Sequence, residues 1–591
     1  MLRRSTSERP GAAARAALIA AATAVAGLAF VPAARALTVS PLPDTPDASP
    51  ATQISFLGAQ PSDIHGVSVS GSASGSHSGR LKAYASAPGA SFLPSRPFTG
   101  GETVRVSALL GPHHHRLSWT FEVAHQLPDP PAGKAAPLPP KAGTVQSLSS
   151  QPHLQPPVVR VGVDAPQVAP GEVFITPSNG YGQAGAMILE DDGGLVWFQP
   201  APPGMIATNL QVEQFDGAPA LVWWQGRVAD GVGFGRDQIY NSNYRPVAEV
   251  RGGNGYEADL HAVTLSPQGS AFITAYSIVR ADLSSVGGER DGLLQDAIVQ
   301  EIDVKTGLVM FEWHAYGHVS LADSLWRKRA GEPWDFFHMN SISLDPWGDG
   351  DFIISSRNTW AAYEIDHHTG AILWRLGGRH PSFHMGPGTG TAWQHDVEWQ
   401  PDRTLTIFDN GAVPKAHPQS RAIREAIDWR HRSVSVVSRA YHAPPLLSGS
   451  QGNDEALANG DSFIGWGERP YVTEFAPDGS VVFEAHLLEP GQSYRAFRFQ
   501  WEGTPWYPPA IALKRESAGV VSVYASWNGA TQVSSWRILA GAEPGSVAPV
   551  TTVLRSGLET AVTVGAEQGW FVAQALDASG RVLAQSAPAH G

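Results

Sequence analysis

VQEIDVKTGLVMFEW, residues 299 to 313, and AYEIDHHTGAILWRL, residues 362 to 376, carry the same pattern. An alternating run leads into a polar turn containing Asp and Gly, and a second apolar run ends near a tryptophan. Period-two alternation puts successive side chains on opposite faces of a strand, and the Asp/Gly turn joins two such strands as a hairpin. ILEDDGGLVWF (188 to 198) and VTEFAPDGSVVFEA (472 to 485) repeat it. Between these copies lies a second kind of hairpin that begins with histidine: HAVTLSPQGSAFITAY (261 to 276), HMNSISLDPWGDGDFIISSR (338 to 357) and HDVEWQPDRTLTIFDN (395 to 410). Two hairpins per unit make a four-stranded antiparallel sheet, and sheets in series are the blades of a β-propeller. The repeating region, residues 158 to 500, spans about 340 residues, and roughly 50–60 residues per unit predicts six blades.

The flanks read differently. Residues 37 to 126 contain short alternating runs such as ETVRVSALL and LSWTFEV, and are expected to form an N-terminal β-sandwich. Residues 127 to 157 are rich in proline and read as a linker. Residues 501 to 591 hold runs such as GVVSVYASW and GWFVAQALD, expected to form a C-terminal Ig/fibronectin-like sandwich. The whole chain is therefore expected to be all-β: a six-bladed β-propeller flanked by two β-sandwich domains.

Composition sets limits on function. Among 591 residues, 41 basic and 54 acidic side chains give a net charge of −13, which opposes a nucleic-acid-binding role. The chain has no cysteine, which excludes disulfides, thiolate metal sites and cysteine nucleophiles. Residues 1 to 36 read as an export signal: a basic start, the apolar run AALIAAATAVAGLAFV, and the small-x-small end Ala34-Arg35-Ala36. A secreted or extracytoplasmic protein is expected, with no membrane-spanning segment once the signal is removed. The run PHHHR (112 to 116) reads as surface histidines rather than a metal site.

The repeat supplies a candidate site. His261, His338 and His395 begin equivalent hairpins, and equivalent positions of a propeller face one axis. Strand parity puts Asn340 on the side of His338, puts Trp393 on the side of His395 and turns Asp396 away. Arg357 closes the hairpin that His338 opens. Three imidazoles, an amide and a guanidinium, with no carboxylate expected on the same face, can bind a metal or a tetrahedral oxyanion. The arginine opposes a cation and suits sulfate-like or phosphate-like oxygens, and an imidazole can attack such a centre. Neither metal nor cofactor is expected. Trp393, Trp360, Tyr276 and Phe408 are candidates for stacking on an aromatic substrate.

WDFFHMNSISLDPWGDGDFIISSRNTWAAYEIDHHTGAILWRLGG, followed by WQHDVEWQPDRTLTIFDNG and preceded by DLHAVTLSPQG, resembles the bacterial arylsulfate sulfotransferase family over roughly residues 160 to 490. The resemblance implies a six-bladed propeller and transfer of a sulfuryl group from a phenolic sulfate ester to a phenol, without the nucleotide donor PAPS. It implies that a histidine carries the group, and the position matching that histidine is His395. The family's other site residues match His261, His338, Asn340 and Arg357. The best-known periplasmic members carry a disulfide, which this chain cannot form. Three rival readings remain: a non-catalytic propeller that binds a glycan or surface polymer, a quinoprotein-type dehydrogenase, and a hydrolase in which water takes the sulfuryl group.

Overall fold

The computed structural model describes residues 37–131, 133, 137–348, 350–517, 519–565 and 569–591. The expected export signal, residues 1–36, lies outside the described residues. The protein is all-β, and its only helical pieces among the described residues are three short 3-10 turns.

The opening hairpins form as their sequences predict. Ser270–Ala281, Gly292–Asp303 and Leu308–His314 pair antiparallel, as do Phe352–Ser356, Ala361–Ile365 and Ile372–Gly377. Their turns use the same chemistry. Asp303 Oδ1 accepts from the Thr306 amide and hydroxyl, and Asp366 Oδ1 accepts from the His368 and Thr369 amides. The glycines that end these turns, Gly307 and Gly370, take φ of 69° and 73°, where a β-carbon is strained. Trp313, at the end of its strand, donates Nε1 to the Gly370 carbonyl and ties one hairpin to the next.

Six sheets of this kind follow one another. The first pairs Glu172–Ser178, Gly185–Leu189 and Leu195–Pro200 with the late strand Gln492–Phe499. The second runs Ile206–Phe215, Ala218–Ala229, Val232–Asn241 and Pro246–Val250. The third begins at Val263–Leu265, the fourth at Met339–Leu344 and the fifth at His395–Trp399. The sixth runs from Asn453–Ala456 to Val481–Leu487 and adds the early strand Val159–Asp164. Neighbouring sheets share apolar cores. Trp197 meets Trp223 between the first and second, and Phe272 meets Phe352 between the third and fourth. Phe408 meets Trp466 between the fifth and sixth. Val173 and Met187 of the first sheet join Phe463 and Phe483 of the sixth in one core, so the series returns to its start. Burial of each large apolar side chain contributes about 1.5–3 kcal/mol.

Residues 37 to 126 form two four-stranded sheets around Phe56, Phe92, Val106 and Phe121. Residues 510 to 590 form two more sheets around Val523, Trp536 and Phe571. The described residues between 127 and 157 hold no named strand and only isolated bridges, such as Leu138 to Tyr181. His113, His114 and His115 are exposed. Among the described residues, no helix is long and apolar enough to cross a membrane.

Candidate functional site

His261, His338 and His395 sit at the entry of the first strands of the third, fourth and fifth sheets. They are 3%, 2% and 1% exposed and line one cavity of about 390 Å³ together with Arg357 and Tyr494. The His261 and His338 rings stand edge to face with centroids 4.8 Å apart. Tyr494, from the strand that closes the first sheet, lies 5.7 Å from His261 and 6.4 Å from His395. The repeat phase therefore converges three histidines distant in the chain.

Each imidazole is held at Nδ1, and the holders differ. Asn410 Oδ1 stands 2.8 Å from His395 Nδ1. The Asn410 amide nitrogen donates to the carbonyls of Ser448 and Gln451, which orients its oxygen toward the ring. The Trp393 carbonyl is a second acceptor at 3.2 Å. Two acceptors at Nδ1 place the ring proton there and leave Nε2 with a lone pair, which accepts the Gln451 amide at 3.1 Å. Burial and then the Arg357 charge hold His395 well below the usual histidine range, so it is neutral.

The expectation of no carboxylate at the site is corrected. Asp259 Oδ2 lies 2.5 Å from His261 Nδ1, and Asp335 Oδ2 lies 2.5 Å from His338 Nδ1. Burial pushes Asp259 up, but His261 and the amides of Gly233 and His261 bring it below its ordinary value. Burial likewise raises Asp335, and His338 and Arg357 outweigh it. Burial, followed by Arg357, pulls His338 down to about 4 against the opposing effect of Asp335. His338 is thus a neutral ring with its proton toward Asp335.

Arg357 follows the strand Phe352–Ser356, and its amide donates to the His338 carbonyl, as the hairpin predicts. Its Nε donates to Asn358, its guanidinium lies 5.7 Å from the Trp326 ring centre, and it forms no ion pair among the described residues. It lines both the histidine cavity and a neighbouring one of about 580 Å³. A buried guanidinium without a carboxylate partner is suited to an anion.

Asn340 does not line the cavity. It donates to the Gln394 carbonyl, beside His395, and leaves its own Oδ1 without a partner. Strand parity failed here because His338 adopts φ of 54° and the register shifts between Met339 and Ser341. Trp393 is misplaced for the same reason: with φ of 58° it turns from His395, packs on Trp360 and Trp326, and donates to the Pro414 carbonyl. Phe408 is fully buried in a sheet-to-sheet core, and Trp360 lies against Trp393. Of the four aromatic candidates, Tyr276 alone lines one of these two cavities, the larger; its hydroxyl donates to the Met339 carbonyl. Asp396 faces Arg495 at 3.1 Å.

Sequence reasoning missed Asp259, Asp335, Asn410 and Tyr494. The first two had a local signal, since an acid stands two and three residues before its histidine. Asn410 closes the His395 hairpin much as Arg357 closes that of His338. Tyr494 had none, because its strand reaches the site from the far end of the repeat region.

No curated protein matches the chain. Similar solved structures include a protein of unknown function from Bacteroides caccae, 13% identical, covering 56% of this chain and 98% of that one with a TM-score of 0.35. A catalytically inactive virginiamycin B lyase from Staphylococcus aureus, solved with quinupristin, is 10% identical and covers 63% of this chain and 97% of that one, with a TM-score of 0.30. The family model described as arylsulfotransferase (ASST) matches residues 211–487, the segment that holds all three histidines and Arg357. Over those residues the chain is similar to the arylsulfotransferase family.

Proposed function

We propose that this protein moves a sulfuryl group from a phenolic sulfate ester to a phenolic acceptor, independently of PAPS, by a ping-pong reaction through a sulfohistidine at His395. The observation that carries the reading is the fixed tautomer of His395: a neutral ring whose Nε2 lone pair faces no competing acid and stands beside an unpaired arginine. In the first half-reaction Nε2 gives up its hydrogen bond from the Gln451 amide and bonds to sulfur while the S–O(aryl) bond breaks and the electron pair leaves on the phenolate. Arg357 binds the sulfuryl oxygens as their charge develops. His261, backed by Asp259, gives the phenolate its proton and recovers one from the acceptor phenol in the second half-reaction. His338, neutral at pH 7, accepts a hydrogen bond at Nε2 and helps orient the phenol. Asn340 positions the Gln394 backbone next to the nucleophile.

The scaffold in this reading is a six-bladed β-propeller whose six sheets close on each other, with β-sandwich domains at residues 37–126 and 501–591. The closed series of cores and the shared first sheet support it. The signal at residues 1–36 directs the protein out of the cytoplasm, where it meets small-molecule phenolic sulfates.

The test is a half-reaction. Purified protein is mixed with an aryl sulfate without acceptor, quenched at alkaline pH and digested for mass spectrometry. A sulfuryl group on the His395 peptide, discharged by phenol with formation of phenyl sulfate, is the expected result. An adduct cleared equally well by water indicates hydrolysis. Phenolate release with no adduct on His395 removes the covalent mechanism.

A further inference from the structure

A second cluster of chemistry-bearing side chains lies outside both cavities. His314 ends the strand Leu308–His314, Asp296 lies on the adjacent strand Gly292–Asp303, and Asp47 lies in the N-terminal segment between Thr38–Ser40 and Ile54–Leu57. All three are buried, at 2%, 0% and 3% exposure. His314 Nδ1 is 2.9 Å from Asp296 Oδ2 and 3.1 Å from Asp47 Oδ1. We propose that Asp47, Asp296 and His314 bind one divalent transition-metal ion, of the Zn²⁺ or Mn²⁺ class, which clamps the N-terminal segment onto the third sheet.

Four observations carry the assignment. The first is the state of Asp47: neither of its oxygens accepts a hydrogen bond, although both are buried and one points at His314 Nδ1. An ionised carboxylate without donors is costly in the interior, and a cation is the usual remedy. The single proton that Nδ1 can carry already serves Asp296.

The second is the charge balance. Glu312 Oε1 stands 3.1 Å from His314 Nε2, so three carboxylates surround one imidazole. No lysine or arginine pairs with Asp47, Asp296 or Glu312 among the described residues.

The third is the order outside the three donors. A metal-bound histidine ordinarily donates its other N–H to a carboxylate, and Glu312 stands there for Nε2. Glu312 is itself fixed, because its Oε2 accepts from Asn254 Nδ2 at 2.8 Å and Gln300 Nε2 at 2.6 Å. The spare oxygen of Asp296 accepts the Tyr316 amide at 2.8 Å. Glu312 Oε2 and the spare oxygen of Asp296 are thus satisfied, whereas neither oxygen of Asp47 is.

The fourth is donor type and reach. Two carboxylate oxygens and one imidazole nitrogen suit zinc or manganese better than the all-oxygen shells of calcium and magnesium. The ligands are far apart in sequence, so one ion closes a loop of about 250 residues between Asp47 and Asp296. A chain without cysteine has no disulfide for that purpose. Neighbouring contacts already seat the segment: Ser49 Oγ donates to the Asn254 carbonyl and the Gln53 amide donates to Asn254 Oδ1.

The test uses the full chain with His113, His114 and His115 replaced by alanine, which removes the exposed histidine run as a competing chelator. Metal-stripped protein is given Zn²⁺ or, separately, Mn²⁺, passed through a desalting column and analysed for retained metal and thermal unfolding. The expected result is about one equivalent retained, with a higher Tm than in chelator. Asp47→Asn should lower retention at least about tenfold and abolish the metal-dependent rise in Tm. In chelator it should melt no lower than its parent, since it removes a buried charge. Asp296→Asn reads the same loss from a different strand if the first variant misfolds. Failure of the parent to retain either ion overturns the proposal and leaves a proton-bridged acid–histidine cluster. Retention by both variants equal to that of the parent overturns it too.

Discussion

Arg357 offers a perturbation in which function and stability should part company. Its guanidinium is buried at the cavity wall with no ion-pair partner among the described residues, and Nε donates to Asn358 Oδ1 at 3.0 Å. Arg357→Gln removes the forked donor and keeps an amide. Two charge-assisted hydrogen bonds to sulfuryl oxygens, at about 1.5–3 kcal/mol each, amount to about 3–6 kcal/mol. At 1.36 kcal/mol per decade that is a loss of about 10²–10⁴ in the first half-reaction. Stability should move much less. Leaving the buried Asn358 oxygen unpaired costs about 1–3 kcal/mol, offset by relief of a buried cation and by the new amide. The pH profile adds a second signature. Burial and then Arg357 lower both His395 and His338, so removing the charge raises both. A nucleophile with a raised pKa is protonated sooner as pH falls, and the acid limb should shift to higher pH. The assay is the single-turnover burst of 4-nitrophenolate from its sulfate ester, followed from pH 4 to 8 beside a calorimetric melt. A folded variant whose burst stays within tenfold of the parent, on an unmoved acid limb, refutes the role given to Arg357.

Two other expectations concern groups of different character. Asn410→Leu removes the acceptor that fixes the His395 tautomer and should slow the burst about 10- to 100-fold, from about 1–3 kcal/mol, and, because that hydrogen bond raises His395, shift the acid limb to lower pH; a burst as fast as the parent's means that the Trp393 carbonyl suffices. Glu425 lies buried on the strand Arg421–Asp428 of the fifth sheet and does not line the histidine cavity, and neither of its oxygens has a partner among the described residues. Burial raises it from 4.5 to about 8. A raised folded-state pKa contributes stability that is full below the unfolded value of about 4.5 and is lost as pH climbs through 8. Glu425→Gln should therefore gain Tm relative to the parent between pH 6 and 9 and not at pH 4.5, while parallel Tm curves would contradict the buried neutral acid.

Much of the site could be read from the chain because repeats carry phase. His261, His338 and His395 are separated by 77 and 57 residues, and each begins the same hairpin. One hairpin of known register brought Arg357 beside His338. Errors arose where the backbone leaves the ideal strand. Parity assumes extended residues on both sides, and His338, Trp393 and Asp396 all have positive φ. Asn340 and Trp393 were accordingly drawn into a cavity that they only support. The carboxylates were missed for a related reason: Asp259 and Asp335 lie before the strands, where period two says nothing.

Local pattern alone determined the all-β class, the hairpins, their Asp/Gly turns and the three histidines, because these depend on neighbours within about fifteen residues. What the tertiary structure decided depends on distant segments meeting. Asn410 orients His395 only because the Ser448 and Gln451 carbonyls claim its amide. Tyr494 enters the cavity only because its strand pairs with Glu172–Ser178 across the whole repeat region. Asp47 finds His314 only when the N-terminal segment docks on the third sheet. A sequence specifies each of these contacts through the closure of the fold, and closure is a property of all the sheets together, which no single stretch contains.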